Sequence, residues 1–521
     1  MSATTTEARP AREFRPFGMR DKVGYMFGDF GNDFTFILQA FYFMIFYTNV
    51  VGVNPVHVGL LLAVARLFDG FTDIGMGILV DRLPVKANKP KFKRWIKYIA
   101  IPVAIASALM YMSFVGDFDS YTMKIVWMSA TYFLWGSILY TAINIPYGSM
   151  ASVVSDNPDY RAQLSVWRST GANLAVLAIT TSLPLLIYAK NDAGVPVLVG
   201  ERMTIAAAVC AVLAVICYAL CYVLVTERVE SKIKSKEEGG AGIGKMLASV
   251  VSNRALLGLI VAALLLLLAN LFLGSMLGYL FLNVFGDGKL QAGASLAGIL
   301  PSFILIILAP WMSKKFGKAE SAAVAMIVGG VVLLVAYFLK PENAWVWIAF
   351  YAVAMFCISI FNFLVWAFIT DVIDYQEVRT GQRDDGTVYA VYSWARKLGQ
   401  AGSAALSGVV LGAIGFNSTA AQAGELQEPA VIDGIYFITN VFPAIGTILV
   451  GLALLFLYPL KKKRVDENTA ILRERRATAA NPSDEITDPY ENVTADPGAG
   501  DHLPGQALPP EVADGDEQLK F

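Results

Sequence analysis

The chain is a succession of apolar stretches, each near the ~20 residues that a helix needs to cross the hydrocarbon core of a bilayer. They run approximately over residues 25–51, 57–81, 94–116, 122–150, 162–189, 203–226, 256–285, 290–312, 319–339, 344–372, 387–415 and 433–460. In lipid every backbone polar group must be satisfied within the protein, so helices are the expected spanning element. Hydrophobic residues make up 56% of the 521 positions and charged residues only 16%, against roughly a quarter charged in soluble domains. A single soluble α/β domain and a disordered chain are both excluded. The net charge of −1, with no clustered basic face, gives no reason to expect nucleic acid as a partner. Cys210, Cys217, Cys221 and Cys357 lie inside apolar spans and read as small core residues. With only His57 and His502 as histidines, no zinc-type cluster can be assembled. The first 24 residues are polar and basic, without the apolar core of a cleavable leader, so the first span is expected to target itself.

Charge asymmetry orients these spans. Arg9, Arg12, Arg15, Arg20 and Lys22 precede the first, and Arg82, Lys86, Lys89, Lys91, Lys93, Arg94 and Lys97 follow the second. Arg228, Lys232, Lys234, Lys236, Lys245 and Arg254 fall between spans 6 and 7, Lys314, Lys315 and Lys318 after span 8, and Lys461, Lys462, Lys463 and Arg464 after span 12. The alternate connections hold only Lys190, Arg202, Lys289 and Lys340. Positive charge on every second connection places both termini in the cytoplasm, which requires an even number of spans. The expected organisation is a cytoplasmic N-terminus (1–24), a six-helix bundle (25–226), a cytoplasmic central loop (227–255), a second six-helix bundle (256–460) and a tail (461–521). The tail is polar, Pro-rich and acidic and is expected to be disordered. Asn492-Val493-Thr494 is a glycosylation sequon by pattern only, on the cytoplasmic side in this orientation.

Ionisable residues at bilayer depth carry the functional information, because each costs a few kcal/mol even on the lenient insertion scale. Span 2 reads HVGLLLAVARLFDGFTDIGMGILVDR. Arg66, Asp69, Asp73 and Gly77 fall within an arc of roughly 80° on a helix turning about 100° per residue. Gly70, Gly75 and Gly77 are expected to permit close helix approach. An internal Arg–Asp pair accounts for one aspartate, not two. Two carboxylates a turn apart instead form a candidate cation site, where an empty site favours a proton and a filled one a metal ion. Span 1 repeats the spacing with Asp29 and Asp33. Asp33 lies about 12 Å into the helix, whereas Asp29, nearer the end, reads equally as a water-exposed or capping residue. Span 4 ends in TAINIPYGS (141–149), where Pro146 frees a carbonyl beside polar side chains. Span 5 carries Arg168, which either enters the interior or snorkels to the interface. Span 10 ends in Asp371, Asp374 and Glu377, read as gating or ligand-contact residues. In span 11, Lys397 near mid-depth needs a carboxylate partner, Asp69 and Asp73 being the candidates, while Arg396 points about 100° away.

These segments resemble the glycoside–pentoside–hexuronide:cation symporters of the major facilitator superfamily. The resemblance runs from about residue 22 to 460 and rests on GDFGNDF, YTNVVGV, ARLFDGFTD, KFKRWI, INIPYGS, DVIDYQE and RKLGQ. GILVDR, with Gly77, Asp81 and Arg82, is a partial match to the superfamily's motif between spans 2 and 3. The implied fold is all-α and membrane-integral, with twelve helices in two six-helix halves that alternate access. The resemblance also implies cation binding by Asp69, Asp73, Thr72 and Thr141, where Thr72 replaces an asparagine. It implies sugar binding by Asp33 and Arg168, and coupling through Lys397 with Arg66 beside it. Asn144 stands where the family has a second sugar-binding aspartate, and Gly148 where a tryptophan packs on the sugar. Trp366 or Trp394 is the candidate aromatic to stack on the ring.

The resulting expectation is a non-enzymatic symporter of the cytoplasmic (inner) membrane. It needs no cofactor, acts as a monomer, and imports a sugar or glycoside with Na⁺ or H⁺. Counting Asp33, Asp69 and Asp73 against Arg66, Arg168, Arg396 and Lys397 predicts a net positive interior, which would suit an acidic sugar. Three other readings compete with this one. An intramembrane aspartyl protease needs its aspartates on different helices, one in a GxGD motif that FGDFGND does not match. A non-transporting sugar sensor would be expected to lose the cation ligands. A lysolipid transporter of the same family would need an apolar, laterally open cavity.

Overall fold

The computed structural model describes residues 15–83, 90–229, 253–380 and 385–480. Helix α1 (Met19–Asn49) is followed by α2 (Pro55–Arg82) and α3 (Lys93–Leu109). Asn54 starts α2, its side chain accepting from the Val56 N–H with Pro55 at the first turn, where proline costs no hydrogen bond. Helix α4 is a continuous rod made of Tyr121–Phe133, a π-helical segment Leu134–Tyr140, and Thr141–Val154. Then come α5 (Pro158–Ile187), capped by Asn157, and α6 (Gly200–Leu224). A two-stranded antiparallel hairpin, β1 (Tyr188–Lys190) with β2 (Pro196–Leu198), joins them.

The second half comprises α7 (Arg254–Tyr279, continuing as a π segment Leu280–Val284) and α8 (Leu290–Ile299, a 3-10 turn Leu300–Ile304, then Leu305–Phe316). It continues with α9 (Lys318–Leu339), α10 (Ala344–Thr380), α11 (Asp385–Ala413) and α12 (Pro429–Leu452, then π-helical Ala453–Leu457). Seven of these helices are long and apolar enough to cross a membrane by length and composition alone. The others either carry Asp29, Asp33, Arg66, Asp69, Asp73 and Lys397 or, as in α4 and α8, are divided by a π or 3-10 segment.

Two sequence expectations are corrected. Residues Lys462–Ala480 form a further helix, α13, where a disordered tail was expected; KKRVDENTAILRERRATAA is rich in strong helix formers and holds no proline. The tail beyond residue 480 and its sequon lie outside the described residues. Span 10, expected to close near residue 372, continues as one helix to Thr380. There Asp371 is buried and accepts from Lys318 Nζ of α9 at 2.6 Å. This bond stays within the second half, so Asp371 is a brace between neighbours and not a bolt between halves.

The halves meet along α2–α11, α5–α8 and α1–α7. The residues flanking α1 and α12 share one face of the bundle, called here the terminal face; the other is the distal face. Bonds between halves gather at the distal face. Gln422 donates to the Gly116 carbonyl at 2.9 Å and Asn191 to the Gly424 carbonyl at 3.0 Å. Thr48 pairs with Tyr279 at 2.6 Å, and Tyr188 donates to Gln291 at 3.2 Å. In the same region α2 and α11 are in backbone contact: a Cβ on Gly59 would lie 2.8 Å from the Gly408 Cα and 3.0 Å from the Ala404 carbonyl oxygen. Gly70, Gly75 and Gly77 were expected to play this role, but among the described residues a Cβ on any of them would meet nothing within 4 Å. Among the described residues, then, nothing packs against these α2 glycines. On that face Asp21 binds Arg15 and Arg228, and Glu227 accepts from the N–H groups of Lys91, Phe92 and Lys93, all within the first half.

Candidate functional site

The two span-2 aspartates are held by two rungs between α2 and α4. Ser137 Oγ donates to Asp69 Oδ1 at 2.5 Å, and Thr141 Oγ1 donates to Asp73 Oδ1 at 2.9 Å. Both aspartates and both hydroxyls are four residues apart, so each pair stacks one turn above the other. Widening of α4 over Leu134–Tyr140 sets this register, and Thr141 Oγ1 also reaches the Gly136 carbonyl, five residues back, at 3.3 Å. Such π segments are frequent at functional sites. The second oxygen of Asp73 is paired with Lys397 Nζ of α11, across the interface between halves. Of the two partners open to Lys397 in the sequence, the structure selects Asp73.

Asp69 is 7% exposed and lies 3.7 Å from Arg66 Nη1, a long ionic contact. The other end of Arg66 donates to Gln39 Oε1 of α1 at 2.6 Å, and its guanidinium lies over the Phe36 ring at 5.2 Å. Thr72 uses its hydroxyl on the Asp69 carbonyl of its own helix at 3.1 Å. Two carboxylates, two hydroxyls and a detachable lysine thus converge where one unit of positive charge can be exchanged for another.

A second cluster lies one helix away. Arg168 of α5 neither snorkels nor stands free: its Nε donates to Asp29 of α1 at 3.0 Å, and it lies over the Tyr147 ring at 5.4 Å. Asp29 is 7% exposed, which corrects its reading as a surface or capping residue. It also adds a fourth carboxylate to the interior, and with Arg396 exposed four acids face three bases, so the expected net positive interior does not hold. Tyr147 is fixed by stacking on Tyr25 and by donating to the Tyr25 carbonyl at 2.6 Å. A Cβ on Gly148 would lie 3.7 Å from Arg168 Nη1, so this glycine gives the guanidinium its room. Asp33 and Asn144 are half-buried and make no hydrogen bond or ion pair among the described residues. The side chains of Trp366 and Trp394 lie outside the described residues. Arg396 is exposed.

Sequence reasoning missed Ser137, Gln39 and the pairing of Asp29. Ser137 and Gln39 are uncharged polar residues in apolar spans, and the partner of Asp29 lies on another helix, α5. For Ser137 the missing element was the register of α4, which depends on the π segment.

Twelve long helices in two halves, with charge at the seam between them, define the major-facilitator fold of a membrane transporter. Residues 24–462 match the family described as MFS/sugar transport protein, and the chain belongs to it. It is a multi-pass sugar transporter, not an enzyme. It is 30% identical to the uncharacterized symporter YjmB of Bacillus subtilis, over 85% of this chain and 92% of that protein. A putative sulfoquinovose importer of Escherichia coli is 28% identical over 86% of this chain and 92% of its own length. A glucuronide carrier protein homolog of Escherichia coli is 26% identical over 90% and 98%. Among solved structures, a bacterial homolog of the lysosomal transporter Spinster superposes with a TM-score of 0.57 at 15% identity, covering 84% of this chain and 96% of that one. At that identity the likeness concerns the fold.

Proposed function

We propose that the protein is a secondary active symporter that imports a sugar or glycoside together with a monovalent cation, Na⁺ or H⁺, across the cytoplasmic membrane. The observation that carries this reading is the single carboxylate Asp73, which accepts from Thr141 in the first half and from Lys397 in the second. A cation bound between Asp69 and Asp73, with Ser137 and Thr141 supplying oxygens and the Thr72 hydroxyl nearby, competes with Lys397 for the same charge. Loading the cation releases Lys397 and with it a tie between halves, so ion binding biases the rocking motion. Arg168, Asp33 and Asn144 would hydrogen-bond sugar hydroxyls, with Trp366 or Trp394 stacking on the ring. The basic connections put the terminal face in the cytoplasm, so the arrangement described is the inward-open one, sealed by the distal contacts.

The test is accumulation in proteoliposomes. A panel of radiolabelled neutral and acidic glycosides is offered under an imposed Na⁺ gradient, an imposed pH step, or neither. Uphill accumulation with one gradient and only equilibration without it is the expected result. Equal accumulation under all three conditions would overturn the coupling.

A further inference from the structure

The flank of the first half carries a groove that the sugar and cation roles leave unused. It has a volume of about 510 Å³ and runs between α5 and α6. Both helices pack on α1 more extensively than on each other, so α1 closes the gap from behind and contributes Phe34 to its floor. Phe34 is held in place by stacking on Phe30, with ring centroids 4.8 Å apart. Ile179, Ala206 and Cys210 complete a buried floor, whereas Leu186, Ile205 and Val209 on the rim are each more than half exposed. Exposed apolar side chains on spanning helices face hydrocarbon, so the groove opens sideways into lipid. All of its lining belongs to the first half, so rocking of the halves leaves it whole. The one hydroxyl among the described lining residues, Ser182, donates to the Ala178 carbonyl of its own helix at 2.6 Å and asks nothing of an occupant.

Charge is confined to one end. Arg202 lies in the first turn of α6 and lines the distal mouth of the groove. It is exposed, and among the described residues it makes no hydrogen bond or ion pair. It is one of the few basic residues on the distal connections, and another of them, Lys340, is already bound to Asp433 at 2.6 Å. Glu201, the neighbouring acid, points about 100° away around the helix. The first turn of α6 has no side-chain cap, and its end of the helix dipole adds to the positive potential at the mouth. From Arg202 down to Leu213, another lining residue, α6 descends about 16 Å, half of the ~30 Å hydrocarbon thickness. An apolar trough one leaflet deep, beneath an uncommitted cation at headgroup level, has the dimensions and the charge of a phospholipid site.

We infer that this groove binds an anionic phospholipid of the distal leaflet, its phosphate on Arg202 and one acyl chain lying against Phe34. Bulk lipid wets any apolar flank; this site differs in having a floor built by three helices and a single uncompensated cation at its mouth. A zwitterionic lipid brings its own ammonium to that cation, and an anionic one does not. The inference needs the chain to span a bilayer and takes nothing from the symport reading, so either can fail without the other.

The test uses the full-length protein in phosphatidylcholine nanodiscs. Trace phosphatidylglycerol or trace phosphatidylcholine, each with a photoreactive group at the end of one acyl chain, is cross-linked, and the adducts are mapped by mass spectrometry. Adducts of phosphatidylglycerol are expected to concentrate on residues 178–186 and 205–213. There they should exceed those of phosphatidylcholine about fivefold, the effect of one basic residue at a membrane surface, with a ratio near one elsewhere. Arg202→Gln should bring the groove ratio to one at an unchanged melting temperature, since the side chain is exposed and unpaired, and Arg202→Lys should keep a preference. Val209→Trp, which fills the groove from its rim, should remove adducts of both lipids from these segments only. Equal yields from the two lipids, adducts spread evenly over the helices, or an undiminished preference in Arg202→Gln would overturn the inference. A dimer in mass photometry with no adducts in the groove would assign it to a second copy of the chain and overturn it as well.

Discussion

The seal between halves at the distal face depends on the absence of side chains at Gly59 and Gly408, which makes Gly408→Ala a decisive perturbation. The added Cβ would lie 2.7 Å from the Gly59 Cα and 2.9 Å from the Gly59 nitrogen, against the Pro55 carbonyl. All three neighbours are backbone, so no flexible side chain can yield. Restoring an ordinary contact near 3.4 Å with the nearest of them, the Pro55 carbonyl, requires α2 and α11 to separate by about 1 Å, and overpacking of this kind costs about 1–3 kcal/mol. The cost falls only on the distal-closed arrangement, so the equilibrium shifts about 5- to 150-fold toward states in which that end is apart. The assay is the labelling rate of Ser275→Cys, just beneath the seal, by a membrane-impermeant maleimide added from the distal side. The four native cysteines are buried, which keeps the background low. At least fivefold faster labelling is expected with Gly408→Ala, and more with Gly408→Val. An unchanged rate in a protein of unchanged melting temperature would refute the argument that this contact forms the seal.

Removing the Ser137 hydroxyl (Ser137→Ala) deletes a charge-assisted hydrogen bond to Asp69, worth about 1.5–3 kcal/mol. The apparent affinity for the driving cation, read as its half-saturation in sugar uptake, should fall about tenfold or more. Lys397→Ala and Asp73→Ala should each lower the thermal stability of the purified protein more than the double variant does, because a single change strands its partner's charge; scanning fluorimetry on the three proteins checks this. Gly28→Ala would put a methyl against the Tyr147 ring, 2.8 Å from Cδ2. It should cost about 1–3 kcal/mol by overpacking, and it should reduce sugar affinity through Arg168, which lies on that ring.

The fold was legible because lipid simplifies the code: apolar length marks the spans. The span-2 aspartates were legible for a related reason, since a buried charge is too costly to be incidental. Asp29 stayed open between interior and surface because depth along the helix does not decide burial, and its pairing with Arg168 from α5 is a contact that no spacing within α1 reveals. Ser137 was missed because the ideal helical period does not hold across Leu134–Tyr140. Gly70, Gly75 and Gly77 were credited with a contact made by Gly59, since composition marks where helices are able to approach and not which end is together in a given state. The helix at Lys462–Ala480 was hidden by the acidic, Pro-rich residues that follow it.

The claim beneath all of this is that Asp73 is occupied in turn by Lys397 and by the travelling cation. The most direct measurement compares two modes of transport in Asp73→Cys proteoliposomes: accumulation against a sugar gradient under an imposed cation gradient, and exchange of labelled for unlabelled sugar at equilibrium. The account predicts that gradient-driven accumulation is lost while the protein still inserts and exchanges sugar. Uphill accumulation at the wild-type level by that variant would contradict it.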